Sequence, residues 1–348
     1  MRLGKWPGGL MLAAVVVGAG VVAPAPALGK IALQFDLQLG SACLSGYKPT
    51  ADPIKVKLLR SDGHALETAH DNSTDVTWDL CFDRVPVSGN KIQLINGTDQ
   101  DRTVTVPRLT LEVDRVNSAI KGRAPAGKTL LVSYHECYPA GCDAPQQMAT
   151  MVNGNGRYHW DLSASPIDVD GSDRVDAQYQ TIHGDRFTRT TFAPVMEIIK
   201  PNQLYAGCLP RGDTFLSLRS PGGTLRAIRT FHASTDCSGF FGSFRKNGHA
   251  VNIHIGDKIS SNLAADASLV WPAMSLNGST TTVSGRCIAN SRYVVFISRG
   301  GSGTSTSGTT DGTGHFSTTV LWSFSAGDGL DLICETNRGD HVRIVRTL

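Results

Sequence analysis

Four times along this chain the same landmarks return in the same order, and that periodicity limits the possible folds more than any single residue does. Aligning "SACLSG", "KGRAPAG", "AGCLPRG" and "SGRCIANS" sets Cys43, Ala124, Cys208 and Cys287 at one position, at separations of 81, 84 and 79 residues. An alternating apolar stretch follows each time: "IKVKLL" from Ile54, "TLLVSY" from Thr129, "TFLSLR" from Thr214 and "RYVVFIS" from Arg292. Next comes an aromatic stretch, in "TDVTWDL", "GRYHWDL", "GFFGSF" and "GHFSTTV", and then a Gly-Asp-like turn at Gly89-Asn90, Gly171-Ser172-Asp173, Gly256-Asp257 and Gly327-Asp328. Self-similarity at a fixed period marks a chain built from repeated structural units.

A fifth landmark closes each unit. Pro107-Arg108-Leu109-Thr110-Leu111 is matched by Pro194-Val195-Met196-Glu197-Ile198 and Pro272-Ala273-Met274-Ser275-Leu276. Proline removes a ladder donor and belongs at strand starts, edges and bulges, so each copy is expected where one unit's closing strand hands the chain to the next. Between the landmarks, apolar and polar residues alternate with period two, and Gly, Asn, Asp and Ser turns recur every 8 to 12 residues. Without helical periodicity, that pattern predicts all-β sandwiches of about 80 residues.

The joint "VTVPRLTLEVDRVNSAIKGRAPAGKTLLVSY" resembles the recurring joint of the tandem immunoglobulin-like repeats of secreted bacterial surface proteins. In that family a closing strand passes into a "V-x-G-x-x-x-P-G-x-x-V-x-V" opening. The resemblance implies four tandem immunoglobulin-like β-sandwich modules, at 30–115, 116–199, 200–278 and 279–348. It implies display, spacing and adhesion, and no chemistry, because this fold carries function only through sites grafted on it. Pairing the cysteines in order gives one bridge per module: Cys43 with Cys81, Cys137 with Cys142, Cys208 with Cys237, and Cys287 with Cys334.

The compartment follows from the N-terminus. Arg2 and Lys5, an apolar run from about Leu10 to Val22, and Ala23, Ala25 and Ala27 in Ala-x-Ala spacing describe a secretory signal peptide over residues 1–29. Export to an oxidising compartment agrees with eight cysteines, an even number. No second run is long enough to span a bilayer, so the expected protein is secreted, extracellular or at the cell surface, without a membrane span after cleavage. Of 33 basic and 30 acidic residues, the leader takes two of the former, and so small a net charge gives no reason to expect nucleic acid as partner. Other surface proteins or polysaccharide are the expected partners.

Candidate sites are few. Asp168, Asp170 and Asp173 precede or follow Gly171 as alternate carboxylates do in a calcium loop, but the downstream bidentate acid is missing and a Gly-Asp turn fills this slot in the other units. No cofactor is expected, with calcium the weaker alternative. Arg211-Gly212-Asp213 and Arg338-Gly339-Asp340 fall in turns, where Gly and Asp are favoured anyway. Trp78, Tyr158, Trp160, Phe240, Phe241 and Phe316 fall in the same strand of successive modules, which suits either a sugar-stacking platform or each module's core aromatic. No nucleophile elbow occurs, and "GGSGTSTSGTTDGTG" reads as a flexible hairpin loop. The expectation is a non-catalytic structural or adhesive protein, with polysaccharide binding or the docking of a partner through loops as the alternatives.

Overall fold

The computed structural model describes residues 33–348 except 98–99, 139–140, 164–168, 200–201, 235–236 and 264–267. The leader over residues 1–29 and the calcium candidate Asp168 lie outside the described residues. Among the described residues the fold is all-β, with no helix. The alternation explains why: in Ile54–Leu59 (IKVKLL), Ile54, Val56 and Leu58 point into a core while Lys55 and Lys57 face outward.

Two seven-stranded sheets organise the molecule, one in each half. In the N-terminal half the order is Gln146–Met151, Thr129–His135, Arg174–Gln180, Arg186–Phe192, Gln34–Gln38, Cys43–Tyr47 and Thr77–Cys81. One end of this sheet packs on a four-stranded sheet around Phe35, Leu44, Val56 and Ile92, and the other on a three-stranded sheet around Ile120, Val132, Tyr158 and Val175. The C-terminal half repeats the plan, with facing sheets of six and three strands, but its buried side chains form one continuous core.

Each large sheet is closed by a parallel pairing between distant segments. Gln34–Gln38 lies beside Arg186–Phe192, with Asp36 opposite Arg186, and Val195–Ile199 lies beside His341–Thr347, with Glu197 opposite His341. The first strand of each half is thus zipped to the last. The repeat visible in the sequence is about 80 residues long, whereas the sheets join its copies two by two.

The prolines stand between strands. Val104–Asp114, which alternates like a single strand, breaks into Gln100–Thr105 and Thr110–Asp114 with Pro107 between them. Pro194 and Pro272 likewise precede Val195–Ile199 and Ser275–Ser279. The strand after each proline pairs forward: Thr110–Asp114 with Ala119–Arg123, Val195–Ile199 with Gln203–Leu209, and Ser275–Ser279 with Thr282–Arg286. Expected as the closing strands of the segments ending at 115, 199 and 278, they each pair with the strand that follows, because proline ends one ladder before the alternation resumes on another.

The first copy's register also differs from the sequence alignment. Lys48, not Cys43, donates its N–H to the carbonyl before the aromatic strand (Val76), as Ala124 does to Gly156 and Cys287 to Gly314. Two residues earlier, Gly46 faces Trp78, Gly122 faces Tyr158 and Gly285 faces Phe316 across the ladder. A Cβ on Gly122 would lie 2.0 Å from the Thr110 carbonyl oxygen and 2.5 Å from the Tyr158 hydroxyl, so each ring lies flat over a glycine. Lys48 fits a position held elsewhere by Ala or Cys because its buried ammonium donates to the Asp52 and Ser73 carbonyls.

The Gly-Asp landmark has one structural cause in all four copies. Asn90, Asp173, Asp257 and Asp328 each accept the backbone N–H three residues upstream, from Val87, Asp170, His254 and Ser325, at 2.7 to 2.9 Å. Arg226 pairs with Asp257, and the Arg299 guanidinium holds Asp328 well below the usual carboxylate range. Residues 302–309, expected as a flexible loop, form the edge strand Ser302–Thr309 against Arg292–Arg299. The Gly-Gly turn at 300–301, with both residues at positive φ, starts the strand early enough for Ser and Thr to pair along it.

Candidate functional site at the joint between the halves

The structure joins the cysteines as Cys43–Cys81, Cys137–Cys142, Cys208–Cys237 and Cys287–Cys334, leaving none free. Their roles differ. Cys43–Cys81 and Cys137–Cys142 staple directly opposed residues of neighbouring strands, whereas Cys287–Cys334 spans 6.5 Å between the two sheets of the last sandwich.

A buried polar cluster lies where the halves meet. It is built on a turn that occurs twice, Thr181-Ile182-His183-Gly184-Asp185 and Thr336-Asn337-Arg338-Gly339-Asp340, just before the last strand of each half. In both, the threonine hydroxyl accepts the N–H groups two and four residues on, the glycine N–H returns to the threonine carbonyl, and the aspartate is buried. Both aspartates then reach across the parallel pairing. Asp185 accepts the Phe35 N–H at 3.3 Å and Asp340 the Met196 N–H at 2.9 Å. Each carboxylate also pairs with an arginine, and here the halves diverge. Asp185 takes Arg102 from within its own half, but Asp340 takes Arg115 from the other.

Arg115 sits in the turn between Thr110–Asp114 and Ala119–Arg123, is 3 % exposed, and donates to the Pro194 and Arg338 carbonyls as well as to Asp340. Gly171 packs on Gly339 so closely that a Cβ on Gly171 would lie 2.7 Å from the Gly339 carbonyl oxygen, and the Gly171 N–H donates to the Arg338 carbonyl. Arg338-Gly339-Asp340 is therefore a fastening whose glycine and aspartate are buried, while Arg211 and Asp213 of the other tripeptide are exposed, with Asp213 against His232.

Beside this fastening lies a half-open cleft of about 610 Å³, with Glu136 and Asp170 on one side, Leu269 and Val270 on another, and Ile288, Arg292 and Glu335 from the last sandwich. Arg292 bridges to Glu136 at 3.0 Å across the two halves. Burial pushes Glu335 up to about 7, with Arg292 opposing and Asp173 and Glu136 reinforcing. His341, opposite Glu335 in the ladder, is pushed down to about 4 by burial and by Arg115, and its Nε2 meets no partner among the described residues.

Of the calcium candidates, Asp173 is engaged within the fold. Burial pushes Asp173 up to about 6, and its carboxylate accepts the Tyr134 hydroxyl and the N–H groups of Cys137 and Asp170. Among the described residues no group of three or more His, Cys, Asp or Glu is placed to hold a metal ion. Of the aromatic strand, Trp78, Tyr158 and Phe316 are buried and Phe240 stacks on Phe231. Phe241 differs: it is 75 % exposed, beside Tyr205 at 4.7 Å. Trp271 is a core residue, and Trp322 donates to Asp328 under Arg299. Arg115 and the T-x-x-G-D turns were missed in the sequence, although the second turn repeats the first after 155 residues.

No family model matches the chain, and no curated protein matches it. Among solved structures it is similar to a tetra-tandem repeat from the extending region of a large adhesion protein, at 14% identity over 91% of this chain and 99% of that one, with a TM-score of 0.19. It is also similar to a structure from a 1.5-MDa bacterial ice-binding adhesin, at 15% identity over 91% and 96%, TM-score 0.18. A third is the trypsin-activated alpha-2-macroglobulin of Escherichia coli, at 10% identity over 91% of this chain and 31% of that one, TM-score 0.19. At such scores the likeness carries no functional argument. The fold itself defines a disulfide-bonded protein of stacked β-sheets, and its four bridges fit an extracellular or cell-surface setting.

Proposed function

We propose that this chain is a non-catalytic extracellular or cell-surface element that holds other groups apart or presents loops at fixed spacing. It is read as four sandwiches, at about 33–106, 107–193, 194–271 and 272–348, fused two by two and then fastened to each other. The observation that carries this reading is the buried Arg115–Asp340 pair, which locks one fused pair to the next where a freely hinged linker would otherwise lie. A spacer needs such joints, since an unlocked interdomain contact moves by default.

Small-angle scattering of the oxidised chain lacking residues 1–29 tests the reading. One particle shape is expected, and Arg115→Ala should broaden it into a range of interhalf angles. An unchanged profile in that variant, or a wild-type profile that itself needs many angles, contradicts a rigid spacer. A second reading, polysaccharide binding, is favoured by the exposed Phe241 beside Tyr205, since ring faces open to solvent can stack on sugars. It requires retention on a glycan surface that Phe241→Ala abolishes.

A further inference from the structure

We infer that the cleft between the halves binds a primary ammonium carried on an apolar stem, seated with its charge on Glu335. The inference stands apart from the spacer reading, because the cleft would bind such a group whatever the chain holds apart. Glu335 is 7 % exposed and lines the cleft, and no hydrogen bond or ion pair reaches its carboxylate from the described residues. A carboxylate so deeply buried normally meets a partner, because an uncompensated charge is costly. Arg292 does not supply one; it acts on Glu335 only through space and is bridged to Glu136.

The walls choose among cations. A hard divalent ion wants six or more oxygens, and among the described residues the acids lining this cleft are not placed to hold one. An ammonium carries three donors, which one carboxylate and neighbouring polar groups such as Thr336 and Asn337 can accept. Leu269, Val270 and Ile288 give the apolar surface that an aliphatic stem covers while its charged head sits deeper. Two sources share this chemistry, a free polyamine and the lysine side chain of a partner.

Occupancy is coupled to protons. Glu335 is faced by Glu136 and Asp170 across the cleft, by Asp173 behind them, by Arg292, and by His341 on the neighbouring strand. Because burial raises Glu335 to about 7, the ionised carboxylate and hence ammonium affinity should grow about tenfold between pH 6 and pH 8.

The test is calorimetric and NMR titration of the oxidised full chain with pentylamine, cadaverine, Nα-acetyl-lysine methylamide and, as the uncharged counterpart, Nα-acetyl-norleucine methylamide. Saturable binding of the amines is expected, with the norleucine amide silent and Glu335→Gln weakening binding at least tenfold. Cadaverine binding tighter than the lysine amide assigns a free polyamine, and equal or weaker cadaverine binding assigns a partner's lysine. Should Glu335→Gln fail to fold, Val270→Trp fills the cleft from its rim without touching the acid and should abolish binding. Undiminished binding in the folded variants, equal binding of the norleucine amide, or calcium competing with the amines at the cleft would overturn the inference.

Discussion

The two T-x-x-G-D turns perform the same local task with different consequences. Both bury an aspartate that grips the first strand of its own half, through the Phe35 N–H or the Met196 N–H. Asp185 completes its coordination with Arg102 and closes its half on itself. Asp340 completes its own with Arg115 and so makes the stability of the C-terminal half depend on the N-terminal one. The same contrast runs through the flanking residues: Gln180 and Arg186 border the first turn in the open, while their counterparts Glu335 and His341 are buried at the joint. One turn sequence can therefore be an internal latch or a coupling between units, depending on where its arginine comes from.

The largest effect should come from removing that arginine. Arg115→Ala leaves Asp340 buried without its cation, at a cost of about 3–5 kcal/mol to the joint. Urea unfolding should then resolve two transitions where the wild type shows coupled ones. Arg102→Ala, which strips Asp185, should weaken the N-terminal half while leaving the halves coupled. A single shared transition in Arg115→Ala would break the comparison.

Next come the bridges. The Cys287–Cys334 closure spans 47 residues and two sheets, and its removal by paired alanine substitutions should cost about 4 kcal/mol by the chain-entropy account. Cys137–Cys142 closes only 5 residues along a hairpin and should cost about 2 kcal/mol. Thermal unfolding of the two double variants measures the difference.

The joint should also make the C-terminal half the more sensitive to pH. His341 titrates near 4 when folded and near 6.5 when unfolded, so stability is lost as pH falls from 6.5 toward 4, by up to about 3 kcal/mol. Glu335 and Asp173 act oppositely: burial raises both, so their contribution is full below the unfolded carboxylate range and is lost as pH rises through about 7 and about 6. His341→Leu should remove the loss of stability as pH falls from 6.5 toward 4, and Glu335→Gln the loss as pH rises from 4.5 through about 7. The smallest effect belongs to the ion pairs astride the parallel strands. Asp36–Arg186 is largely exposed, and Arg186→Met should cost under about 1 kcal/mol. Arg343 is held by both Asp331 and Glu197, so Arg343→Met should cost more in the same denaturation assay.

Much of this was legible in the chain because each repeated landmark has a local cause. Period-two alternation gave Ile54–Leu59 and Thr129–His135, and proline marked the passage between sheets. The Gly-Asp turns followed from an aspartate that accepts a nearby N–H. What stayed hidden depends on long-range partners. Cys43 drew the first alignment five residues out of register, because a cross-strand bridge looks like an inter-sheet one in sequence and Lys48 occupies a slot held elsewhere by Ala or Cys. Nothing local distinguishes Arg115 from other turn arginines, since its role is fixed by a carboxylate 225 residues away. The pairing of copies two by two was likewise hidden, because parallel neighbours leave no turn between them.

The pairing itself is tested most directly by amide hydrogen exchange along the first strand of each half. Leu39 donates its N–H to the Thr188 carbonyl at 2.7 Å, a bond that exists only if the first and last strands of the N-terminal half lie together. That amide, and those at the Val195–Ile199 and His341–Thr347 contact, should exchange only when a whole half unfolds. Exchange at Leu39 as fast as at the open turn around Gly63, with the neighbouring Cys43–Tyr47 pairing still protected, would contradict the fused pairs.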